Sequence, residues 1–347
     1  MREAATRPGR RVTLADVAAE AGVSRALASI VMRGAPGASE ATREHVQEVA
    51  HSLGYRPDSR ARLLRSSRTR LLGVTFTLAE PFHAEVVESV YAAAEDAGFE
   101  LALSAVSPLR PESRAVESLL DLGVEALLMI APSTAAEALA AYAQRLPVVT
   151  LLSPAPVGGT DQVRTDDAAG VRAVVEHLVE LGHREIVHID GGGAVSSQER
   201  STAYREAMAA RGLARHTRVL RGGAGEEDGL RAAAELMAGP LPDAVVVFND
   251  RCALGVLEVL RRAGLSVPGD VSLTGFDDSQ LSRLSHVQLT TVSQQAPQLA
   301  ESAVACAVAR LENREPAGLV HPPRLIIRST TGPVRAELAD RPAVSRS

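Results

Sequence analysis

From Leu71 onward, short apolar runs alternate with alanine-rich amphipathic stretches. The runs LLGVTF (71–76), ELALSAV (100–106), ALLMI (126–130), PVVTLL (147–152), EIVHID (185–190), AVVVF (244–248) and VSLTGF (271–276) are strand-length and rich in β-branched residues, which predicts strands. Between them, AEVVESVYAAAEDAG (84–98), GVRAVVEHLVELG (170–182), RSTAYREAMAARG (200–212), DGLRAAAELM (228–237) and CALGVLEVLRRAG (252–264) carry apolar residues at helical spacing. Strands that alternate with helices imply parallel sheets covered by helices on both faces. The length of this region suits two such lobes, with a cleft at the carboxyl ends of their strands.

Before Leu71 the pattern is all helical. Leu14, Val17, Ala18 and Ala21 predict one short helix, and Leu27, Ile30 and Val31 a second, with Gly22-Val23-Ser24 as a tight turn between them. Thr13 with Asp16 three residues on is a capping-box pattern, and Ser24 can cap the second helix. A third helix runs from Ser39 as cap to Leu53, with Val46, Val49, Ala50 and Leu53 on one face. Three small helices in this arrangement form a helix-turn-helix unit, whose second helix enters the DNA major groove.

Charge sharpens the division. Residues 1–70 hold 13 arginines against 7 acids, net +6, whereas residues 71–347 hold 24 arginines against 35 acids, net −11. A basic head on an acidic body points to nucleic-acid binding by the head, and a solvated arginine-rich tail would give a similar asymmetry. All 37 basic residues are arginine, which removes a Schiff-base lysine and a lysine-bearing phosphate loop. Cys252 and Cys306 are too far apart in sequence for a metal-spaced cluster, and no apolar run approaches the roughly 18 residues of a membrane span. The expectation is a cytoplasmic protein without a membrane anchor.

Two segments carry a sharper signal. TLADVAAEAGVS (13–24) and GYRPDSRARLLRSSRTRLLGV (54–74) resemble the lactose-repressor (LacI/GalR) family, and the likeness continues through DDAAG, ELGHREI, FNDRCALG, RRAGLSVPGDVSLTGFDD, LTTVSQQ and RLIIRSTT. The resemblance implies a helix-turn-helix domain over 1–57, a hinge helix and linker over 58–70, a two-lobe periplasmic-binding-protein-like effector and dimerisation domain over 71–340, and a disordered tail over 341–347. It implies lobe crossings near Thr160, Gln294 and Pro323. At the start of the recognition helix, Arg25, Ala26 and Ser29 match base-contacting positions; arginine suits guanine and a methyl suits thymine. Ile30 departs from the polar or basic residue usual there. Ser39, Thr42, Arg43 and Tyr55 match positions that hold phosphates or brace the domain, and Thr13, Ser24 and Arg33 are further DNA-binding candidates. Asp58 stands where the family's hinge has asparagine, Arg62 is a phosphate-contact candidate, and Leu64 is expected to wedge into the minor groove.

For the body, the resemblance assigns Phe82 and His83 to a first-lobe wall and Arg200, Asn249, Asp277 and Gln294 to effector contacts. Leu152 replaces an aspartate found in many sugar-binding relatives, and Ala224 replaces an aromatic. With no tryptophan in the chain, stacking on a sugar falls to Phe82 or Phe276.

Catalytic alternatives lack a constellation. Gly191-Gly192-Gly193 is only a partial dinucleotide loop, with Ser196 where the third glycine belongs. The pairs Asp166-Asp167 and Asp277-Asp278 suit capping or binding better than acid–base work, and a backbone hydrogen bond accounts for His183. There is neither a G-x-S-x-G elbow nor an H-E-x-x-H helix. The expected protein is a homodimeric transcription regulator without cofactor, metal or enzymatic activity: a repressor whose affinity for double-stranded operator DNA is changed by a small effector, a sugar or related metabolite. A corepressor-dependent regulator or activator of the same fold, and a cytoplasmic solute-binding protein, are the alternatives.

Overall fold

The computed structural model describes residues 12–32, 34–55, 68–154, 158–315 and 318–334, and the chain divides into two compact units, 1–69 and 70–347. The hinge motif with Asp58, Arg62 and Leu64, the arginine at 33 and the tail 341–347 lie outside the described residues.

The first unit contains α1 (Leu14–Glu20), α2 (Arg25–Met32) and α3 (Glu40–Ser52). Val17, Ala28 and Val46, one from each helix, are fully buried against one another with Val31 and Ala50 around them. Gly22 turns the chain between α1 and α2 at φ +64°, a left-handed angle that costs glycine nothing.

The second unit holds two lobes. In the first, β1 (Leu71–Thr77), β2 (Glu100–Val106), β3 (Ala126–Ile130), β4 (Val148–Leu151), β5 (Asp161–Thr165) and β11 (Leu319–His321) form an all-parallel sheet in the order β11-β5-β4-β3-β1-β2. One face is covered by α4 (Pro81–Asp96) and the late helix α11 (Ala296–Leu311), through Val86, Val90, Ala303 and Ala307. On the other face, α5 (Glu112–Asp121) and α6 (Ala136–Ala143) contribute Val116, Leu119 and Leu139.

In the second lobe, β6 (Ile186–Ile189), β7 (Arg218–Leu220), β8 (Ala244–Val247) and β9 (Ser272–Thr274) pair in parallel in the order β7-β6-β8-β9. Helices α9 (Glu226–Met237) and α10 (Asp250–Arg262) cover one face, and α7 (Asp167–Glu180) and α8 (Ser197–Ala210) the other. A short antiparallel pair, β10 (Thr291–Ser293) with β12 (Arg324–Ile326), completes the lobe beside the crossings.

Strand order reverses between β1 and β3 in one sheet and between β6 and β8 in the other, so each lobe has its crevice at those carboxyl ends. The chain crosses between lobes at Asp166 rather than near Thr160, because Asp161–Thr165 continues the first sheet as β5. Polar Asp161 and Arg164 disguise that strand; the Asp161 carboxylate is buried in a two-bond pair with Arg310 of α11, at 2.9 Å each. The other crossings fall at Gln294–Gln295 and Pro322–Pro323, as expected.

Candidate ligand cavity and nucleic-acid interface

The head's helix ends are fixed by side chains. Asp16 Oδ2 accepts from Thr13 N (2.8 Å) and Oγ1 (2.7 Å), while Asp16 N donates to Thr13 Oγ1 (3.4 Å), closing the capping box at the start of α1. Ser24 Oγ accepts from Leu27 N at 3.1 Å and sets where α2 begins. With Ala28 and Val31 turned into the core, Arg25 and Ala26 stand exposed on the first turn of α2, and Ser29 is half-buried. Ile30 covers the following loop, its Cγ2 only 3.8 Å from where a Cβ on Gly37 would stand. That contact gives the apolar residue at position 30 a packing role. Ser39 Oγ caps α3 at Thr42 N (3.3 Å) and meets Thr42 Oγ1 (2.8 Å), Arg43 Nη2 donates to Ala35 O (3.0 Å), and Tyr55 packs on the core. Ser39, Thr42 and Arg43 thus brace the loop before α3.

In the second unit, Phe82, His83, Arg200, Asn249, Asp277 and Gln294 all line one cavity of about 240 Å³. They come from the start of α4, the first turn of α8, the cap of α10, the loop after β9 and the crossing before α11, so five separated stretches of sequence converge. The cavity sits between the carboxyl ends of both sheets. Leu152 and Ala224 also line it, so the two departures from sugar-binding relatives fall on its surface.

Arg200 is the most constrained of these groups. Its Nε donates to Asp167 Oδ2 at 2.8 Å and its Nη1 to Phe248 O at 2.7 Å, with the guanidinium 3.6 Å from the centre of the Phe276 ring and 4.7 Å from that of Phe248. Such charge-assisted bonds and ring contacts are strong where water is excluded. Nη2 has no hydrogen bond among the described residues. Phe276, expected as a stacking surface, lies under Arg200 instead, and the aromatic surfaces of the cavity are Phe82 and Phe248.

Asn249 is committed at both ends of its amide: Oδ1 caps α10 at Cys252 N (2.9 Å) and Nδ2 donates to Ala224 O (3.1 Å). Asp277 accepts from Gln294 Nε2 at 2.7 Å, and burial raises its carboxyl well above the ordinary range against the pull of Arg200. His83 Nδ1 accepts from Thr77 N at 3.1 Å; burial lowers this imidazole to about 4, so it is neutral and its other ring nitrogen carries the proton.

The predicted acid pairs separate as neighbours on a turn should. Asp166 caps α7 at Ala169 N (2.9 Å), while Asp167 holds Arg200. Asp277 lines the cavity, while Asp278 pairs with Arg328. His183 Nε2 meets Gly332 O at 2.9 Å and Ser272 Oγ at 3.0 Å, a structural tie. Gly191-Gly192-Gly193 forms a turn in which Asp190 Oδ1 accepts from Gly192 N (2.9 Å) and Gly222 N (3.0 Å); the edge of the Phe248 ring leaves no room for a Cβ at Gly191.

Sequence reasoning missed Thr77, Glu80, Ser133 and Ser196 on the cavity wall. Thr77 and Ser133 sit at or just beyond the carboxyl ends of β1 and β3, the signal that could have found them. Glu112 Oε2 gathers Ser133 N and Oγ and Thr134 N and Oγ1 at 2.6–3.2 Å and so fixes that wall. Ala131 (φ +46°), Leu152 (+58°), Ser196 (+65°) and Asp277 (+114°), four non-glycine residues at positive φ, all line the cavity. Strained backbone gathered at one place marks a site rather than a simple packing defect. Across the lobes, Arg251 Nη1 meets Glu80 at 3.1 Å, Arg283 Nη2 meets Glu85 at 3.1 Å, and Gln280 N donates to Glu85 at 2.7 Å.

Among the described residues no group of three or more His, Cys, Asp and Glu could hold a metal, and no helix is long and apolar enough to cross a membrane.

Comparison with known proteins agrees with this division. Residues 13–58 match the family described as bacterial regulatory proteins, lacI family, and residues 175–331 match a periplasmic binding protein-like domain. The HTH-type transcriptional regulator GalR of Escherichia coli (strain K12) is 33% identical over 308 residues, 87% of this chain and 90% of that protein. The crystal structure of a LacI transcriptional regulator from a Rhodococcus species shares 44% identity at TM-score 0.75, covering 76% of this chain and 99% of its own. The lac repressor dimer bound to operator and the anti-inducer ONPF shares 27% identity at TM-score 0.79, covering 93% and 100%.

Proposed function

Because this chain belongs to the lacI family of bacterial regulatory proteins, we propose that α2 reads operator DNA and that a small effector in the interlobe cavity changes operator affinity. It is a DNA-binding transcriptional regulator and not an enzyme. The observation that carries the effector reading is the convergence of Phe82, His83, Arg200, Asn249, Asp277 and Gln294 on one cavity reached from both lobes. A ligand there touches both lobes at once, so it can favour one arrangement of them over another, which is what coupling to DNA requires.

The proposed roles follow from the chemistry. Arg25 reads a guanine edge, with Ala26 and Ser29 beside it. Thr13, Ser24, Ser39, Thr42, Arg43 and Tyr55 orient the unit on the phosphates or brace it, joined by Arg33 and Arg62 on sequence grounds. Leu64 is the minor-groove wedge. In the cavity, Arg200 Nη2 and the remaining Asn249 and Gln294 amide hydrogens donate to hydroxyls, and Asp277, whose carboxyl burial raises well above the ordinary range, accepts from them. The effector is a sugar or related polyol, the active form a cytoplasmic homodimer on a pseudopalindrome, and the regulatory sign repression relieved by ligand. The lac repressor dimer with operator and anti-inducer supports the dimeric reading.

Selection of duplexes from a random library, followed by anisotropy titration, tests both halves. Arg25→Ala weakens the selected site by about 1–3 kcal/mol and relaxes preference at one position per half-site. An unchanged logo would remove Arg25 from the reading head. Asp277→Asn binds the same DNA as the parent but no longer responds to a sugar that shifts the parent; an intact response would remove Asp277 from the effector site.

A further inference from the structure

Asp250 follows the cavity's Asn249 directly but stands behind the cavity wall, fully buried. Three donors meet its carboxylate: Oδ2 accepts from Ser279 N (2.7 Å) and Ser279 Oγ (2.9 Å), and Oδ1 accepts from Thr291 Oγ1 (2.6 Å). Burial raises this carboxyl to about 7, and the three bonds pull the other way, towards the ionised form. Bare backbone gives it room, since a Cβ at Gly275 would collide with Oδ1. Asp250 N in turn donates to Phe276 O at 2.9 Å.

The partners of Asp250 belong to the two segments that carry the cavity's other polar groups. Ser279 lies two residues after Asp277, in the loop where Asp277 (φ +114°) and Asp278 (φ +59°) are both left-handed. Consecutive non-glycine residues hold such angles only where their surroundings over-determine them. Thr291 opens β10, which runs straight into the lobe crossing at Gln294. The two segments are also joined to each other. Thr291 Oγ1 accepts from Asp278 N at 3.4 Å, Asp277 N donates to Val292 O at 2.8 Å, and Gln294 Nε2 donates to Asp277 Oδ1 at 2.7 Å. Beyond the crossing, Thr165 Oγ1 of the first lobe donates to Gln294 O at 3.3 Å. Arg200 is anchored separately, on Asp167 and Phe248 O.

We propose that Asp250 is the positioning residue for the cavity's polar side: by fixing Ser279 and Thr291 it holds Asp277 and Gln294 in register with Asn249. The loop after β9 and the crossing at Gln294 then form one body, so a shift of the crossing carries Asp277 with it. This deepens the effector reading given above and rests on it, because Asn249, Asp277 and Gln294 are the groups that would meet the ligand. Asp250 acts through them and touches no ligand itself.

Hydrogen–deuterium exchange followed by mass spectrometry, on the full chain without ligand, tests this in the parent, Asp250→Ala, Asp250→Asn and Thr291→Val. The quantity read is exchange in residues 276–282 and 289–295 relative to β6 and to α8, which bears Arg200. A merely structural loss speeds all four together, whereas loss of positioning raises the ratio. The expected result for Asp250→Ala is a ratio at least tenfold above the parent's. Asp250→Asn restores most of the protection, because its amide oxygen keeps both Ser279 bonds and its nitrogen can donate to Thr291 Oγ1. Thr291→Val, of nearly equal size, removes one tie without touching Asp250 and raises the ratio by a smaller factor; it decides the matter alone if Asp250→Ala does not fold. An unchanged ratio in Asp250→Ala and Thr291→Val, or exchange as fast in Asp250→Asn as in Asp250→Ala, overturns the positioning role and leaves the effector reading standing. Failure of the effector reading shows itself instead in the operator titration of Asp277→Asn and leaves these exchange rates unaltered.

Discussion

The two lobes share one architecture, a parallel sheet with helices on both faces, but they meet the cavity with different chemistry. The first lobe presents Phe82, Ala131 and Leu152 with the neutral His83, the hydroxyls of Thr77 and Ser133, and the Glu80 carboxylate at the edge, paired with Arg251 of the second lobe. The second presents a buried arginine tied to an aspartate, a capping asparagine and a carboxyl. The second lobe contributes the buried charged and amide groups at the cavity, held in fixed directions by Asp167 and the α10 cap. Fold alone does not dictate such a bias, since the buried ion pair at the cavity, Arg200–Asp167, belongs to the second lobe, whereas the first lobe's central wall is apolar or neutral.

The largest expected effect breaks the second lobe's side. The Arg200–Asp167 pair has side chains only 6% and 5% exposed, so Arg200→Ala leaves a buried carboxylate without its cation and lowers unfolding stability by about 3–5 kcal/mol. Replacing both residues by apolar ones of similar size recovers most of it. The first lobe's Arg310–Asp161 pair, with Arg310 42% exposed, is the control; Arg310→Ala has a smaller effect in the same denaturant titration. Equal losses would erase the contrast between a sealed pair and an open one.

A smaller effect tests the first lobe's neutral histidine. The unfolded chain takes up a proton near pH 6.5, whereas His83 in the fold resists it until about 4. Parental stability relative to His83→Gln is therefore flat above pH 6.5 and falls by about 1.4 kcal/mol per unit as pH drops from there towards 4. Comparing the two proteins removes the opposing contribution of Asp250, whose carboxyl burial raises to about 7. A difference independent of pH would mean that His83 takes up its proton in the fold at the same pH as in the unfolded chain. The smallest effect concerns backbone. Ala131→Gly relieves a left-handed angle and changes stability by roughly 0.5–1 kcal/mol in the stabilising direction, offset by the freer unfolded chain. A clear loss by thermal unfolding would show that the Ala131 methyl packs usefully.

Much of this was legible along the chain. The helical head could be read to within a residue because its caps Thr13, Ser24 and Ser39 are local signals. The seven apolar runs became strands for a similar reason. By contrast, β5 reads DQVRT because its charged groups are satisfied by α8 and α11: Arg164 pairs with Glu199 and Asp161 with Arg310. Helix α11 escaped notice because alanine runs round it, leaving no polar stripe to reveal a period, and a proline stands in its first turn. At the cavity, the sequence indicated that Asp166-Asp167 bind or cap but not which does which. That assignment depends on Arg200, 33 residues further on.

The three crossings also impose an order on biosynthesis. The first lobe's core needs Leu299, Ala303 and Ala307 from α11, and its sheet ends with β11 at residues 319–321, although its first strand begins at Leu71. The second lobe draws nearly all its buried core from residues 171–292. A ribosome making this chain therefore releases the middle of the protein in foldable form while β1 to β5 still wait for the helix that covers them. During that interval the apolar face formed by Leu72, Leu128 and Val149 lacks half its cover, which makes the earlier-made lobe the later to fold and the more dependent on chaperones.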